Sequence, residues 1–226
     1  ICLKKKSHSF RERGKKALLK TLEEPRDKVV IILLVSSEES LPATILSRSQ
    51  KVYFYPVPAA TIYDYLIKNY QAKRSEAKDL ANLALGRPLK AIRYLENPDT
   101  YKNYLEEAEK FLSLFNSDIN SRLKVLDSIF SDRTYSRQAS ENALSFLLMS
   151  EGLLRDLLLL NLDQKDRLQH LVLLPALEKS LVNLGGDTEN KVFFLLNKLK
   201  LLAQAKEYLA NNVNPHLVLE QLFINL

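Results

Sequence analysis

The chain has no tryptophan, one cysteine (Cys2), one methionine, five glycines and three histidines in 226 residues, and each scarcity removes a class of chemistry. A lone cysteine forms no internal disulfide and supplies no thiolate cluster for structural zinc. His8, His170 and His216 are too scattered to suggest a metal site, which needs several ligands brought together, and they read as surface or packing residues. The glycines are dispersed and no Gly-x-x-x-x-Gly-Lys-Ser/Thr occurs, so the loop that wraps phosphates in P-loop ATPases is missing from this sequence. Gly185-Gly186-Asp187 has no strand before it and reads as a plain loop, since a phosphate cradle needs a strand, a glycine loop and a helix N-terminus in order. There is no apolar run of about 18 residues, the length of a membrane span. Ile1-Cys2-Leu3-Lys4-Lys5-Lys6 lacks the charged, apolar and cleavage regions of a signal peptide. A soluble, cytoplasmic protein is the expectation.

What is present is ample apolar content, 46% of residues, enough for packed cores in one large or several small domains. The net charge of +6 is unevenly placed: residues 1–56 hold 12 Lys/Arg against 6 Asp/Glu, and residues 57–226 hold 21 of each. Such a basic first quarter suits proximity to phosphate, in nucleic acid or nucleotide, or is an ordinary solvated face; no stacking aromatics or glycine cradle decide between the two.

Lys28 to Val35 is a β-branched apolar run that reads as a strand of a parallel sheet, buried on both faces. Before it, Glu12 to Glu24 reads as a helix stopped by Pro25. Val52-Tyr53-Phe54-Tyr55 is a second candidate strand, ended by Pro56 and Pro58. Beyond Pro58 the period turns helical. Ile62, Tyr65 and Leu66, then Leu80, Leu83 and Ala84, then Ala91, Ile92 and Leu95 form the apolar faces of a three-helix unit, with Gly86 as a helix C-cap, Pro88 in a first turn and Asn97-Pro98 as its close. Further helices are expected over 101–115, 119–130, 141–162, 167–184, 192–209 and 215–226. Leu153 to Leu160, apolar on nearly every side, reads as the central helix of a bundle.

Two segments carry a family likeness. Ala17-Leu18-Leu19-Lys20-Thr21-Leu22-Glu23-Glu24-Pro25 and Leu41-Pro42-Ala43-Thr44-Ile45-Leu46-Ser47-Arg48-Ser49-Gln50 resemble the second half of the AAA+ module in subunits of the bacterial DNA polymerase III clamp loader. Asn212-Val213-Asn214-Pro215 and the residues after it resemble the start of the last collar helix in that family. The likeness implies a mainly α chain: the C-terminal part of an α/β AAA+ domain (1–56), a helical lid domain (57–98) and an all-α collar, or oligomerisation, domain (99–226), without the N-terminal part of the AAA+ domain.

In that register His8 matches the family histidine, while Lys5 and Lys6 stand where a magnesium-binding Asp-Glu pair is found in active subunits. Two ammonium groups neither coordinate magnesium nor activate water. Ser36 and Ser37 keep hydroxyls at a phosphate-sensing position, and Leu89 replaces the lid arginine, with Arg87 or Lys90 able to replace part of its charge. Ser49 replaces the family's usual cysteine and should keep the turn.

The resemblance therefore implies a non-hydrolysing stator subunit of a hetero-pentamer that loads a sliding clamp onto primed DNA, within a DNA polymerase holoenzyme. Arg48, with Ser47 and Ser49 as supporting motif, would be an arginine finger reaching in trans into a neighbouring ATPase subunit. ATP and magnesium would lie in the neighbours and none on this chain. The other partners would be the remaining ATPase subunits and the clamp-opening delta subunit. The collar, closing with Leu217, Leu219, Leu222 and Phe223, is expected to hold partners through its last helix. Two alternatives stay open, a truncated ATP-hydrolysing subunit and a helical assembly or nucleic-acid-binding module descended from one. Lys4, Lys5 and Lys6 receive no role.

Overall fold

The computed structural model describes residues 5–6, 30–35, 38–130 and 136–226. Cys2, Lys4, His8, the expected helix over 12–24, and Ser36 and Ser37 lie outside the described residues. The chain divides into two compact units, residues 1–55 and 56–226, and the described residues are mainly α-helical.

In the first unit, β1 (Lys5–Lys6) and β2 (Leu33–Leu34) pair in parallel, Lys5 opposite Leu33 and Lys6 opposite Leu34. The parallel pairing follows the expectation; burial on both faces does not. Val30 is 67% exposed, and Ile32, Leu34 and Val35 are exposed as well. A two-stranded ribbon among the described residues covers little of a strand's surface, whereas full burial requires layers on both faces. Val52–Tyr55 is not a strand: it is irregular, with all four side chains exposed. A strand exists by sharing its N–H and C=O groups with a neighbouring ladder, and β propensity alone does not supply one. Beyond a short 3-10 turn at Glu38–Ser40 comes α1 (Ala43–Leu46).

In the second unit, α2 (Ala59–Tyr70), α3 (Arg74–Leu83) and α4 (Pro88–Glu96) close on Ile62, Leu66, Ala77, Leu80, Ala81, Ala84 and Ala91. Pro88 opens α4 as expected. Gly86 has a more specific role than a cap. Its φ of +75° suits glycine, its carbonyl accepts from the Val57 N–H at 3.0 Å, and a Cβ there would fall 2.4 Å from Pro56 Cβ. Glycine is thus needed both for the left-handed turn and for the close approach of residues 56–57.

The larger core is built from α5 (Pro98–Ser113), α6 (Ile119–Ile129), α7 (Arg137–Asn161), α8 (Leu174–Asn183), α9 (Thr188–Ala210) and α10 (Pro215–Ile224). Asp118, Ser136, Asp187 and Asn214 cap α6, α7, α9 and α10 by accepting from backbone N–H groups in the first turn; such caps satisfy donors that have no partner inside the helix. The Gly185–Gly186–Asp187 loop has both glycines at positive φ before that Asp187 cap.

The leucine run of α7 is central as expected, with Leu153, Leu154 and Leu157 fully buried. The expected helix over 167–184 starts only at Leu174, preceded by two separate 3-10 turns. Pro175 sets that start, because its ring and missing N–H are tolerated in a first turn and not inside a helix; the stretch before it is held by the Asp156 carboxylate, which accepts from the backbone N–H groups of Gln169 (3.0 Å) and His170 (2.8 Å). The apolar side of α10 faces inward. Leu219, Leu222 and Phe223 are buried in the chain's own core, Phe223 stacked on Phe146 at 5.7 Å, and of the four apolar residues expected there only Leu217 is exposed.

Candidate functional site

The segment 41–50 is held by its own backbone. Pro42 fixes the entry to α1 with extended ψ, and its carbonyl accepts from Ile45 and Leu46 at 2.9 and 3.1 Å. The turn continues past Leu46, the N–H of Arg48 donating to Ile45 O at 3.2 Å and that of Ser49 to Leu46 O at 3.3 Å. Ile45, 1% exposed, anchors the short helix, leaving the opposite side to solvent.

The motif residues Ser47, Arg48 and Ser49 share this one turn. Ser47 Oγ donates to Thr44 O (3.2 Å), an Arg48 guanidinium nitrogen to the same carbonyl (3.1 Å), and Ser49 Oγ to Ile45 O (2.7 Å). Carbonyls at a helix C-terminus lack partners inside the helix. Here the two serines and the arginine meet that need, and Ser49 keeps the turn with a hydroxyl. Arg48 itself is exposed.

Below this turn lies a cluster that sequence reading missed. The Glu38 carboxylate accepts from Lys51 Nζ at 2.6 Å with one oxygen and from the Tyr53 hydroxyl with the other. The hydrogen bonds from Lys51 and then Tyr53 lower the Glu38 pKa, and the bond to Glu38 raises those of Lys51 and Tyr53. Residues 13 and 15 positions apart give no periodic signal; only the pairing of an acid with a following Lys-x-Tyr hinted at it.

In the second unit Leu89 is 80% exposed, and Arg87 is exposed at the N-cap of α4. The expectation that Lys90 lends its charge to a lid site meets a different arrangement. Its ammonium donates to Leu83 O at 3.1 Å and lies 5.7 Å from the Tyr94 ring centroid and 5.4 Å from that of Tyr104. Burial, with the Arg87 charge adding to it, lowers its pKa to about 8.

Tyr104 continues this cluster into the bundle. Its hydroxyl is 2.7 Å from His170 Nε2, and His170 Nδ1 is 2.8 Å from Asp156 Oδ2. His170 and Asp156 are 1% and 0% exposed, so His170 is a packing histidine, but one inside a polar network. The available sequence signal was Asp156 on the same helical face as Leu153, Leu157 and Leu160, since an acid on an apolar stripe implies a buried partner. His216 is also largely buried, its ring nitrogens 3.8 Å from Asp127 and 3.9 Å from Glu220. Among the described residues no group of His, Cys, Asp and Glu is arranged to hold a metal ion, and no helix is long and apolar enough to cross a membrane.

Residues 1–58, which include the whole Arg48 segment, match the family described as DNA polymerase III, delta subunit. Over 105 residues the chain is 36% identical to DNA polymerase III subunit delta' of Haemophilus influenzae, covering 46% of this chain and 30% of that protein. Over 213 residues it is 24% identical to DNA polymerase III subunit delta' of Bacillus subtilis, covering 93% of this chain and 60% of that one. The chain therefore spans less than two thirds of the length of either relative. The chain is thus similar to subunits of DNA polymerase III. Within that class, the proteins it is similar to are the delta' subunits of DNA polymerase III.

Proposed function

We propose that this chain works as a non-hydrolysing delta'-type subunit of a replicative clamp loader and supplies Arg48 as a finger to the ATP site of a neighbouring subunit. The observation that carries this reading is the placement of Arg48: exposed, at the end of a helical turn anchored by buried Ile45, with Ser47 and Ser49 satisfying the turn's terminal carbonyls. A planar, permanently charged guanidinium in such a position suits the oxygens of a transferring phosphoryl group. It would stabilise charge that develops only in the transition state. ATP and magnesium belong in this reading to the neighbours, because the chain carries Lys5 and Lys6 at the positions that match the metal-binding pair of active subunits.

The remaining parts take the roles of the family: residues 1–56 the AAA+ part, 57–98 the lid and 99–226 the collar of a hetero-pentamer. The partners are ATPase subunits and delta, with the sliding clamp and primed DNA reached through the complex in the cytoplasm. The test is Arg48→Ala in the complete subunit, reconstituted with its partners. DNA-stimulated ATP hydrolysis is expected to fall at least tenfold with assembly intact. Arg48→Lys should recover little, since one ammonium does not reproduce the bidentate fork. Unchanged turnover with Arg48→Ala refutes the finger.

A further inference from the structure

We infer that Glu38 is a positioning residue for Arg48, its carboxylate tying together the two ends of the chain segment that carries the arginine. The inference rests on the finger reading above. Glu38 opens the 3-10 turn just beyond β2, before α1, and Lys51 and Tyr53 lie just after the Arg48 turn. One carboxylate oxygen takes the Lys51 ammonium at 2.6 Å and the other takes the Tyr53 hydroxyl. The backbone carbonyl of the same residue accepts from the Leu41 N–H at 2.9 Å, so Glu38 braces both the entry to and the exit from the Arg48 segment.

The brace matters because of what the exit segment lacks. Residues 50–55 form no strand or helix, and Val52, Tyr53, Phe54 and Tyr55 are exposed, so backbone pairing and burial do little to set where the chain leaves α1. Ile45 pins the start of the helical turn; the Glu38 cluster fixes its far end. The ion pair itself is solvent-exposed at both partners, and pairs of this kind contribute little to folding stability. Position is a separate matter, because displacing a reacting or stabilising group by about 1 Å costs up to about a hundredfold in rate.

The test uses the complete subunit in the reconstituted complex. Glu38→Ala, and separately the Lys51→Met/Tyr53→Phe pair that leaves Glu38 in place, should lower kcat for the neighbour's ATP hydrolysis at least threefold while KM for ATP and the melting temperature of the subunit stay unchanged. A group that acts on the transition state alone moves kcat without moving ground-state binding. In an Arg48→Ala background the same substitutions should have no further effect, because Glu38 then has no finger to place.

If Arg48→Ala lowers turnover but the Glu38 and Lys51/Tyr53 variants leave it unchanged, the positioning role is wrong and the finger stands. If those variants lower turnover equally with and without Arg48, or raise KM instead of lowering kcat, Glu38 acts by another route and the inference fails. If Arg48→Ala itself has no effect, both fall together.

Discussion

Replacing Asp156 with Ala tests the buried network at its densest point. The side chain is 0% exposed and accepts from four donors: the backbone N–H groups of Gln169 and His170, His170 Nδ1, and at 3.4 Å the half-exposed guanidinium of Arg155. Each buried donor left without an acceptor costs about 1–3 kcal/mol, and breaking a buried ionic or charge-assisted pair costs about 3–5 kcal/mol. The losses share one site and are not additive, and the exposed Arg155 can turn to solvent, so we expect about 3–5 kcal/mol in total. For a folding unit of this size that lowers the melting temperature by roughly 10 °C or more. Asp156→Asn should be nearly as harmful, because its amide brings donors of its own to a place crowded with donors. Urea unfolding followed by far-UV circular dichroism provides the measurement. His170→Ala combined with Asp156→Ala should cost much less than the two singly added. A loss below about 1 kcal/mol for Asp156→Ala, or strict additivity with His170→Ala, refutes the view that this carboxylate organises residues 169–170.

Lys90 gives a pH signature. Its folded pKa is about 8 against an ordinary 10.5, so below pH 8 both states hold the proton and the cost of burying the ammonium is fully present. Between about 8 and 10.5 the unfolded chain holds the proton and the folded chain does not, and stability rises with pH. Tyr94 and Tyr101, pushed up to about 12 by burial first, act oppositely above pH 10, where the unfolded chain ionises first and stability falls. Lys90→Met should therefore be more stable at pH 7, by up to about 3 kcal/mol, and should lose the rise between pH 8 and 10 in denaturant midpoints. Gly86→Ala, at φ +75° with a clash against Pro56, should destabilise by about 1–3 kcal/mol in thermal melts. Phe223→Ala should cost about 3–5 kcal/mol and loosen the bundle. Deleting residues 212–226 should unfold the larger core as well as release partners, which near-UV circular dichroism of the deletion variant checks. Calorimetric titration of the isolated chain with magnesium-ATP should show no binding in the micromolar range; turnover by the chain alone would overturn the non-hydrolysing reading.

Local sequence was sufficient wherever the physics is local. The helices of the second unit follow from a repeat of 3.6 residues, because a residue's neighbours on a helix face lie three or four positions away. The prolines at the starts of α4 and α10 follow from a fixed φ and a missing N–H. The Arg48 turn follows from Pro42 and the serines, whose bonds reach no farther than four residues.

Tertiary structure decided the rest, because those outcomes depend on what arrives from elsewhere in the chain. The apolar, β-rich segment Val52–Tyr55 remains irregular, with no ladder partner among the described residues, and Val30, Ile32, Leu34 and Val35 stay exposed although Leu33–Leu34 pairs in a two-stranded ribbon. The start of the helix at Leu174 was legible in Pro175, but the backbone donors of Gln169 and His170 meet a carboxylate 13 and 14 positions earlier, which no local pattern announces. Tyr104 meets His170 across 66 positions, and Lys90 loses its freedom to two tyrosine rings brought in by helix packing. A periodic pattern specifies which face of an element is buried. Which polar groups meet inside that face is set by chain reversal and packing, and a one-dimensional period carries no record of either.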